Sequence, residues 1–281
     1  MRLGIFAKTF DRPDVRSCLQ AVADAGIPAA QFNLSVVGLR TVPAEPVPAT
    51  VLDEIRRAAE QTGVALAAIS GTFNAADPDP VRRQAGLDAF PQLVTAAAAL
   101  GIGVVTLSSG SRDPQDMWRW HADNTTEQAW DDSRSSLRRL AGIAEGSGVS
   151  LAFEPEHSNV VATADQAVRM LEEVGSPVLG VVYDAANLLD PDHWDPAEAE
   201  ASISRDVATL APHILLAHAK ELTTGRAQVG PGSGWLPWPH VVGALRSNGF
   251  DGTLVTHGLA ESDVTAAVTT LEAALAATPS A

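Results

Sequence analysis

Four short apolar runs in the second half of the chain each end on one ionisable side chain. Leu151-Ala152-Phe153 leads to Glu154, Val181-Val182-Tyr183 to Asp184, Leu215-Leu216-Ala217 to His218, and Leu254-Val255-Thr256 to His257. Two carboxylates and two imidazoles make a donor set suited to Mn²⁺, Zn²⁺, Co²⁺ or Fe²⁺, and less so to Mg²⁺ or Ca²⁺. A dication in such a set takes up charge that develops on a substrate oxygen, which is what proton abstraction beside a carbonyl requires. Each residue alone has a plainer reading: a strand-end carboxylate can cap the next helix, and a strand histidine can be a hydrogen-bonded core residue. The argument for chemistry is that all four fall at the same end of consecutive runs. Nearby groups could handle the proton. Glu156 and Lys220 lie two residues beyond Glu154 and His218, so a continuing strand would turn them to the same face. Their plainer readings are a solvated loop carboxylate and a salt bridge to a site carboxylate.

Elements able to position these residues follow from the alternation of short apolar runs with helical spacing. Strands are predicted at Leu3–Phe6, Ala29–Val37, Ala65–Ile69, Val104–Leu107, Leu151–Glu154, Leu179–Asp184, Ile214–His218 and Thr253–His257. Between them, spacings such as Val51, Ile55, Ala58-Ala59 and Ala164, Ala167-Val168, Leu171, Val174 predict amphipathic helices. Thr163 is placed to cap one of them. Gly26, Gly63, Gly101, Gly148, Gly175 and Gly249 stand where a helix should stop. Strand then helix, eight times, predicts an α/β fold: a single (β/α)₈ TIM barrel over residues 1–281. A doubly wound sheet would want a glycine fingerprint after the first strand, and Lys8-Thr9-Phe10-Asp11-Arg12-Pro13 contains no glycine. Barrel sites sit at the C-terminal strand ends, where two long loops, Gly38–Ala49 and Ser108–Thr126, are expected to wall the mouth.

Composition narrows the partners. With 19 Lys and Arg against 34 Asp and Glu, the net charge is −15, which argues against nucleic acid and anionic membrane. The single cysteine, Cys18, excludes an internal disulfide or a cysteine zinc cluster. No apolar run is long enough to span a bilayer, and Met1 to Lys8 lacks the apolar stretch of a secretion signal, so the expected compartment is the cytoplasm.

The chain resembles the xylose-isomerase-like superfamily of sugar phosphate isomerases and epimerases over essentially its full length. The matching pieces are Phe153-Glu154-Pro155, Val182-Tyr183-Asp184, Leu216-Ala217-His218-Ala219-Lys220-Glu221, Gly230-Pro231-Gly232-Ser233-Gly234 with Trp235 to His240, and Gly249 to Val255. The resemblance implies a barrel enzyme in which Glu154, Asp184 and His218 bind one divalent metal ion, Mn²⁺ first, with Zn²⁺, Co²⁺, Fe²⁺ or Mg²⁺ as alternatives. It also implies a small-molecule carbohydrate substrate and a homodimer. Two departures stand out. His257 occupies the strand-8 position where the superfamily usually has a glutamate, and Asn187 stands where relatives often have histidine. His257 is therefore either a fourth ligand or an acid/base, and a two-glutamate proton-transfer scheme does not carry over intact.

Catalytic roles are accordingly expected at Glu154, Glu156, His257 and Lys220, and substrate contacts at Asn74, Arg112, Trp118, His121, His157, Asn187 and Arg226. The loop Ser108–Thr126 mixes aromatics with donors as sugar sites do, or else merely packs on the barrel. Arg226 has a solvated-loop alternative. His193 and His240 are expected to be structural, and the glycine run lacks the Lys-Ser/Thr of a P-loop. The leading function is a metal-dependent isomerase or epimerase on a sugar, keto-sugar or polyol. The alternatives are a lyase or dehydratase working by β-elimination, favoured by the missing glutamate, and a sugar-binding barrel without catalysis. Phosphodiester cleavage, which shares this barrel, would need more metal ligands and a basic face.

Overall fold

The computed structural model describes residues 1–189, 195–223 and 227–277. Eight parallel strands close into a barrel: β1 Arg2–Phe6, β2 Ala29–Phe32, β3 Ala65–Ser70, β4 Val104–Ser108, β5 Ser150–Glu154, β6 Leu179–Asp184, β7 Ile214–Ala219 and β8 Thr253–Thr256. Each strand pairs with its sequence neighbours, and β1 closes the ring on β8 with Leu3 opposite Leu254. The helices that return the chain are α1 Val15–Asp24, α2 Ala49–Thr62, α3 Pro80–Ala99, α4 Glu127–Ala144, α5 Ala164–Val174, α6 Pro196–Leu210, α7 Trp238–Ser247 and α8 Val264–Ala277.

The local signals act as their chemistry requires. Thr163 accepts from the Gln166 amide at the start of α5. The six helix-ending glycines all take positive φ, from 69° to 86°. One strand is shorter than its apolar run predicts: β2 stops at Phe32 rather than Val37. The Asn33 side chain accepts the Ser35 amide and turns Leu34–Val37 into a 3₁₀ turn. A side chain that bonds the backbone two residues on competes with the strand ladder, and here it prevails. β8 likewise ends one residue before His257.

Apolar side chains form two separate bodies. The larger lies between strands and helices, around Ile5, Phe32, Ile69, Leu93, Phe153 and Tyr183. The smaller fills the barrel itself with Ala68, Ala152, Val182, Leu216 and Val255. This inner layer decides where polar groups go. Two residues beyond each of these five stand Ser70, Glu154, Asp184, His218 and His257. Because strand side chains alternate faces, these five share the inward face one level nearer the C-terminal ends. The polar layer thus rests on an apolar plug, the stacking expected of a barrel interior.

Beyond the barrel, Glu221–Leu222 and Gln228–Val229 form a small antiparallel ribbon after β7. The Glu221 carboxylate is 1% exposed and accepts from the Gly232 and Leu236 amides and from Trp238 Nε1. The glycine run is therefore a turn wrapped around a buried carboxylate. The loop after β4 docks closely on the loop after β3. Gly110, at φ 85°, lies where a Cβ would come within 2.4 Å of the Ala76 amide nitrogen and of Asn74 Oδ1. Among the described residues no helix is long and apolar enough to cross a membrane.

Candidate metal centre

Glu154, Asp184, His218 and His257 converge. One ligand atom from each lies within 4.8 Å of the others. Register explains the convergence: Asp184 sits directly opposite His218 between β6 and β7, and Val255, two residues before His257, also aligns with His218.

Each of the four is held differently. Glu154 Oε1 accepts from Asn187 Nδ2 at 2.8 Å and lies 3.1 Å from His218 Nδ1. Asp184 is fully buried. Its Oδ1 accepts the Ala186 amide at 2.9 Å, which starts a single helical turn over Ala185–Leu188. Its Oδ2 has no hydrogen-bond partner and lies 3.6 Å from His257 Nε2, which is also buried without one. That separation is too long for a hydrogen bond. The His257 ring stacks on Phe6 at 4.6 Å and meets His218 edge-on at 4.6 Å. Buried polar atoms are normally satisfied. Here a carboxylate oxygen and an imidazole nitrogen face each other beyond hydrogen-bond distance, within a set of two oxygens and two nitrogens. The residues fit a divalent cation.

Electrostatics set the neighbours apart. Burial pushes the Glu154 carboxyl up, but the facing His218, with His257 and Lys220 behind it, outweighs burial and holds the group well below the usual range. Burial raises Glu156 to about 7; Lys220 opposes the shift and Glu154 adds to it. Burial lowers Lys220, yet Asp184, Glu156 and Glu154 together raise it. His257 is lowered by burial and by repulsion from His218.

Above the cluster opens a cavity of about 580 Å³ lined by Glu154, Glu156, Asn187, His218, Lys220, His257 and Trp118 among others. Trp118 is half exposed, and Lys220 Nζ donates to Asn187 Oδ1. The cavity wall thus offers an ammonium, an amide, a carboxyl near neutrality and an indole face. Such a surface suits a small polyhydroxylated molecule.

Other residues expected at this mouth lie elsewhere. Arg112 is 8% exposed, ion-paired with Asp132 at 2.6 Å and bonded to the Ala76 carbonyl, so it staples the β4 loop to α4. Asn74 clamps the same loop through the Ser111 amide and carbonyl. His121 accepts the Asp123 amide and caps a 3₁₀ turn. His157 lines a separate groove of about 400 Å³ with Trp120 and Trp130. These positions follow from loop docking, which the linear order of polar residues does not encode. His240 bonds Ser204 and the Glu200 carbonyl, away from the mouth. Arg226 and His193 lie outside the described residues.

Three mouth residues escaped sequence reasoning. Phe6, Gln31 and Thr106 all line the cavity. The available signal was a lone polar side chain inside an apolar strand run, at Gln31 and Thr106.

A profile of the xylose isomerase-like TIM barrel matches residues 19–276. Among solved structures with this fold is an apo 3-keto-D-glucoside 4-epimerase, YcjR, from E. coli. It is 16% identical at a TM-score of 0.78, over 97% of this chain and 99% of that one. D-psicose 3-epimerase with D-tagatose from Clostridium cellulolyticum H10 is 19% identical at 0.72, over 98% and 97%. An L-ribulose 3-epimerase is 18% identical at 0.74, over 98% and 93%.

Proposed function

The chain belongs to the xylose isomerase-like TIM-barrel family, and on that premise we propose that it is a divalent-metal-dependent isomerase or epimerase acting on a sugar, keto-sugar or polyol. The observation that carries the reading is the facing, partnerless pair of Asp184 Oδ2 and His257 Nε2 within a four-donor cluster at the floor of a polar cavity. Glu154, Asp184, His218 and His257 would hold the ion, Mn²⁺ first among the candidates. A dication there supplies Lewis-acid stabilisation of charge building on a substrate oxygen.

Glu156 is the proton-handling group. It faces the cavity, is not tied into the cluster, and burial raises its carboxyl to about 7, where one group can take a proton and return it to the neighbouring carbon, as isomerisation requires. Epimerisation returns the proton on the opposite face, and Glu154 or Lys220, which also line the cavity, would supply it. Lys220, fixed by Asn187, donates to a substrate hydroxyl or carbonyl oxygen. Trp118 covers the sugar from the β4 loop and screens the mouth from water. The epimerases of similar fold act on sugars and a keto-glucoside by their names, and that is the substrate class to try first.

A second reading has one observation behind it. The carboxylates lining the cavity are Glu154 and Glu156, and Glu154 is engaged by His218 and Asn187. A single free base suffices for β-elimination, so a lyase acting on a keto-sugar is the alternative. Metal-reconstituted protein incubated with ketohexoses and 3-keto-glucosides in D₂O separates the readings. Deuterium in a recovered or epimeric sugar supports the first, an unsaturated product the second, and neither exchange nor product refutes both. We further propose a single barrel domain, which the match across residues 19–276 supports; the cytoplasmic location rests on the sequence alone, and the homodimer on its resemblance alone.

A further inference from the structure

We propose that Gln31, on β2, positions His218 as a cation ligand by accepting the ring's Nε2–H, so that Nδ1 is the nitrogen presented to the cluster. The inference rests on reading Glu154, Asp184, His218 and His257 as a cation site. It adds a residue that neither the motifs nor the strand-end pattern pointed to.

Gln31 is 2% exposed and stands inside the barrel, three strands around the wall from β7. Its amide nitrogen donates to Ser70 Oγ at 3.1 Å and to Thr106 Oγ1 at 2.9 Å. Its carbonyl oxygen lies 2.9 Å from His218 Nε2. A primary amide has one donating end and one accepting end. With the donating end committed to hydroxyls on β3 and β4, the end that meets His218 accepts. Nε2 therefore carries a hydrogen, and a protonated ring nitrogen has no lone pair for a metal. Ligation falls to Nδ1, the atom 3.1 Å from Glu154 Oε1, which gives up to solvent the hydrogen it shares with that carboxylate when a cation enters. Phe6, edge-on at 5.3 Å, holds the ring in this plane.

A ligating histidine commonly donates its second N–H to a carboxylate, carbonyl or water, which fixes the tautomer. Here the acceptor is an amide reaching across the barrel, which adds no charge to a centre that already holds two acidic ligands. Ser70 and Thr106 accept from that amide and keep their own hydrogens, and both line the mouth cavity.

Two substitutions in the full chain separate orientation from packing. Gln31→Glu keeps an acceptor opposite Nε2 and can accept from both hydroxyls. Gln31→Met keeps the length and removes the acceptor. Calorimetric titration of metal-stripped protein with Mn²⁺ gives the dissociation constant. Melting in EDTA reports packing. Ring ¹⁵N shifts of His218, assigned by comparison with His218→Ala, report which nitrogen is protonated. The expected results are a protonated Nε2 in the wild type, Mn²⁺ binding weakened about 10- to 100-fold in Gln31→Met, and binding close to wild type in Gln31→Glu. Wild-type affinity in Gln31→Met with only a lower melting temperature is a packing role and overturns the proposal. Equal losses in both variants, or an unprotonated Nε2, mean that the amide donates to the ring, which also overturns it. A wild type that takes up no Mn²⁺ yet keeps Nε2–H refutes the cation site and with it the ligand role, leaving Gln31 as a ring-orienting residue alone.

Discussion

Replacing Asp184 by Asn should raise the stability of the metal-free protein while destroying its response to metal. Oδ1 of Asp184 starts the helical turn at Ala185, and an asparagine oxygen can keep that bond. Oδ2 is buried without a partner, 3.6 Å from the equally partnerless His257 Nε2. An amide NH₂ at that position can donate to the imidazole and satisfy both atoms, where each unsatisfied group costs about 1–3 kcal/mol. The substitution also removes one of two carboxylates whose ligand atoms lie within 4.8 Å, a repulsion of about 3 kcal/mol at an effective dielectric of about 20. Lys220 and His218 offset part of that repulsion, so a net gain of about 1–3 kcal/mol is expected, or about 2–6 °C in melting temperature for a chain of this size. With Mn²⁺ at about 1,000 times its dissociation constant, the wild type gains about 4.1 kcal/mol and the variant almost nothing. The order of the two melting curves should therefore reverse between EDTA and Mn²⁺. Scanning calorimetry under both conditions reads this directly. A variant that melts lower in EDTA and rises with Mn²⁺ as much as the wild type would show that Asp184 is a structural cap and that the cluster is no cation site.

Three further outcomes are expected. Glu156→Gln should leave Mn²⁺ affinity near wild type and lower kcat about 10²- to 10⁴-fold, the range for losing a general acid/base; loss of metal instead would make Glu156 a ligand. Arg112→Ala should cost about 2–3 kcal/mol in chemical denaturation, because Asp132 keeps Arg83 at 3.0 Å but loses its more buried partner, with KM hardly changed; a large KM effect with intact stability would return Arg112 to the substrate. Burial raises the half-buried Asp206 carboxyl to about 6. Its contribution to stability is then complete below the unfolded value near 4 and lost as pH rises through about 6, by no more than about 3 kcal/mol and less for its partial exposure. Asp206→Asn should flatten that part of the stability curve between pH 4 and pH 7, and an unchanged slope would contradict the assignment.

The eight strands were legible because each is an apolar run, six of them preceded by a helix-stopping glycine, with capping residues such as Thr163 marking helix starts. The four-residue cluster was legible for a related reason. In a parallel barrel both strand faces are buried, so a charged residue ending such a run needs a partner. β2 was misjudged because Leu34, Val36 and Val37 look like strand, while one Asn33 hydrogen bond turns them aside. The loop residues were harder. Arg112, Asn74 and His121 have the side chains of a sugar site but serve loop docking, and nothing in their spacing distinguishes the two uses.

Residue order alone determined the barrel, the end of it that carries polar groups, and the identity of the four clustered residues. Closure decided the rest. Whether Glu154 and its companions point inward depends on their parity with Ala152, Val182, Leu216 and Val255, the residues that fill the barrel. That parity is invisible in strands apolar on both faces, and it acquires direction once the sheet curls around an inside. The same curvature brings Gln31 to His218 across 187 residues, a contact set by the radius of the closed barrel rather than by any distance along the chain.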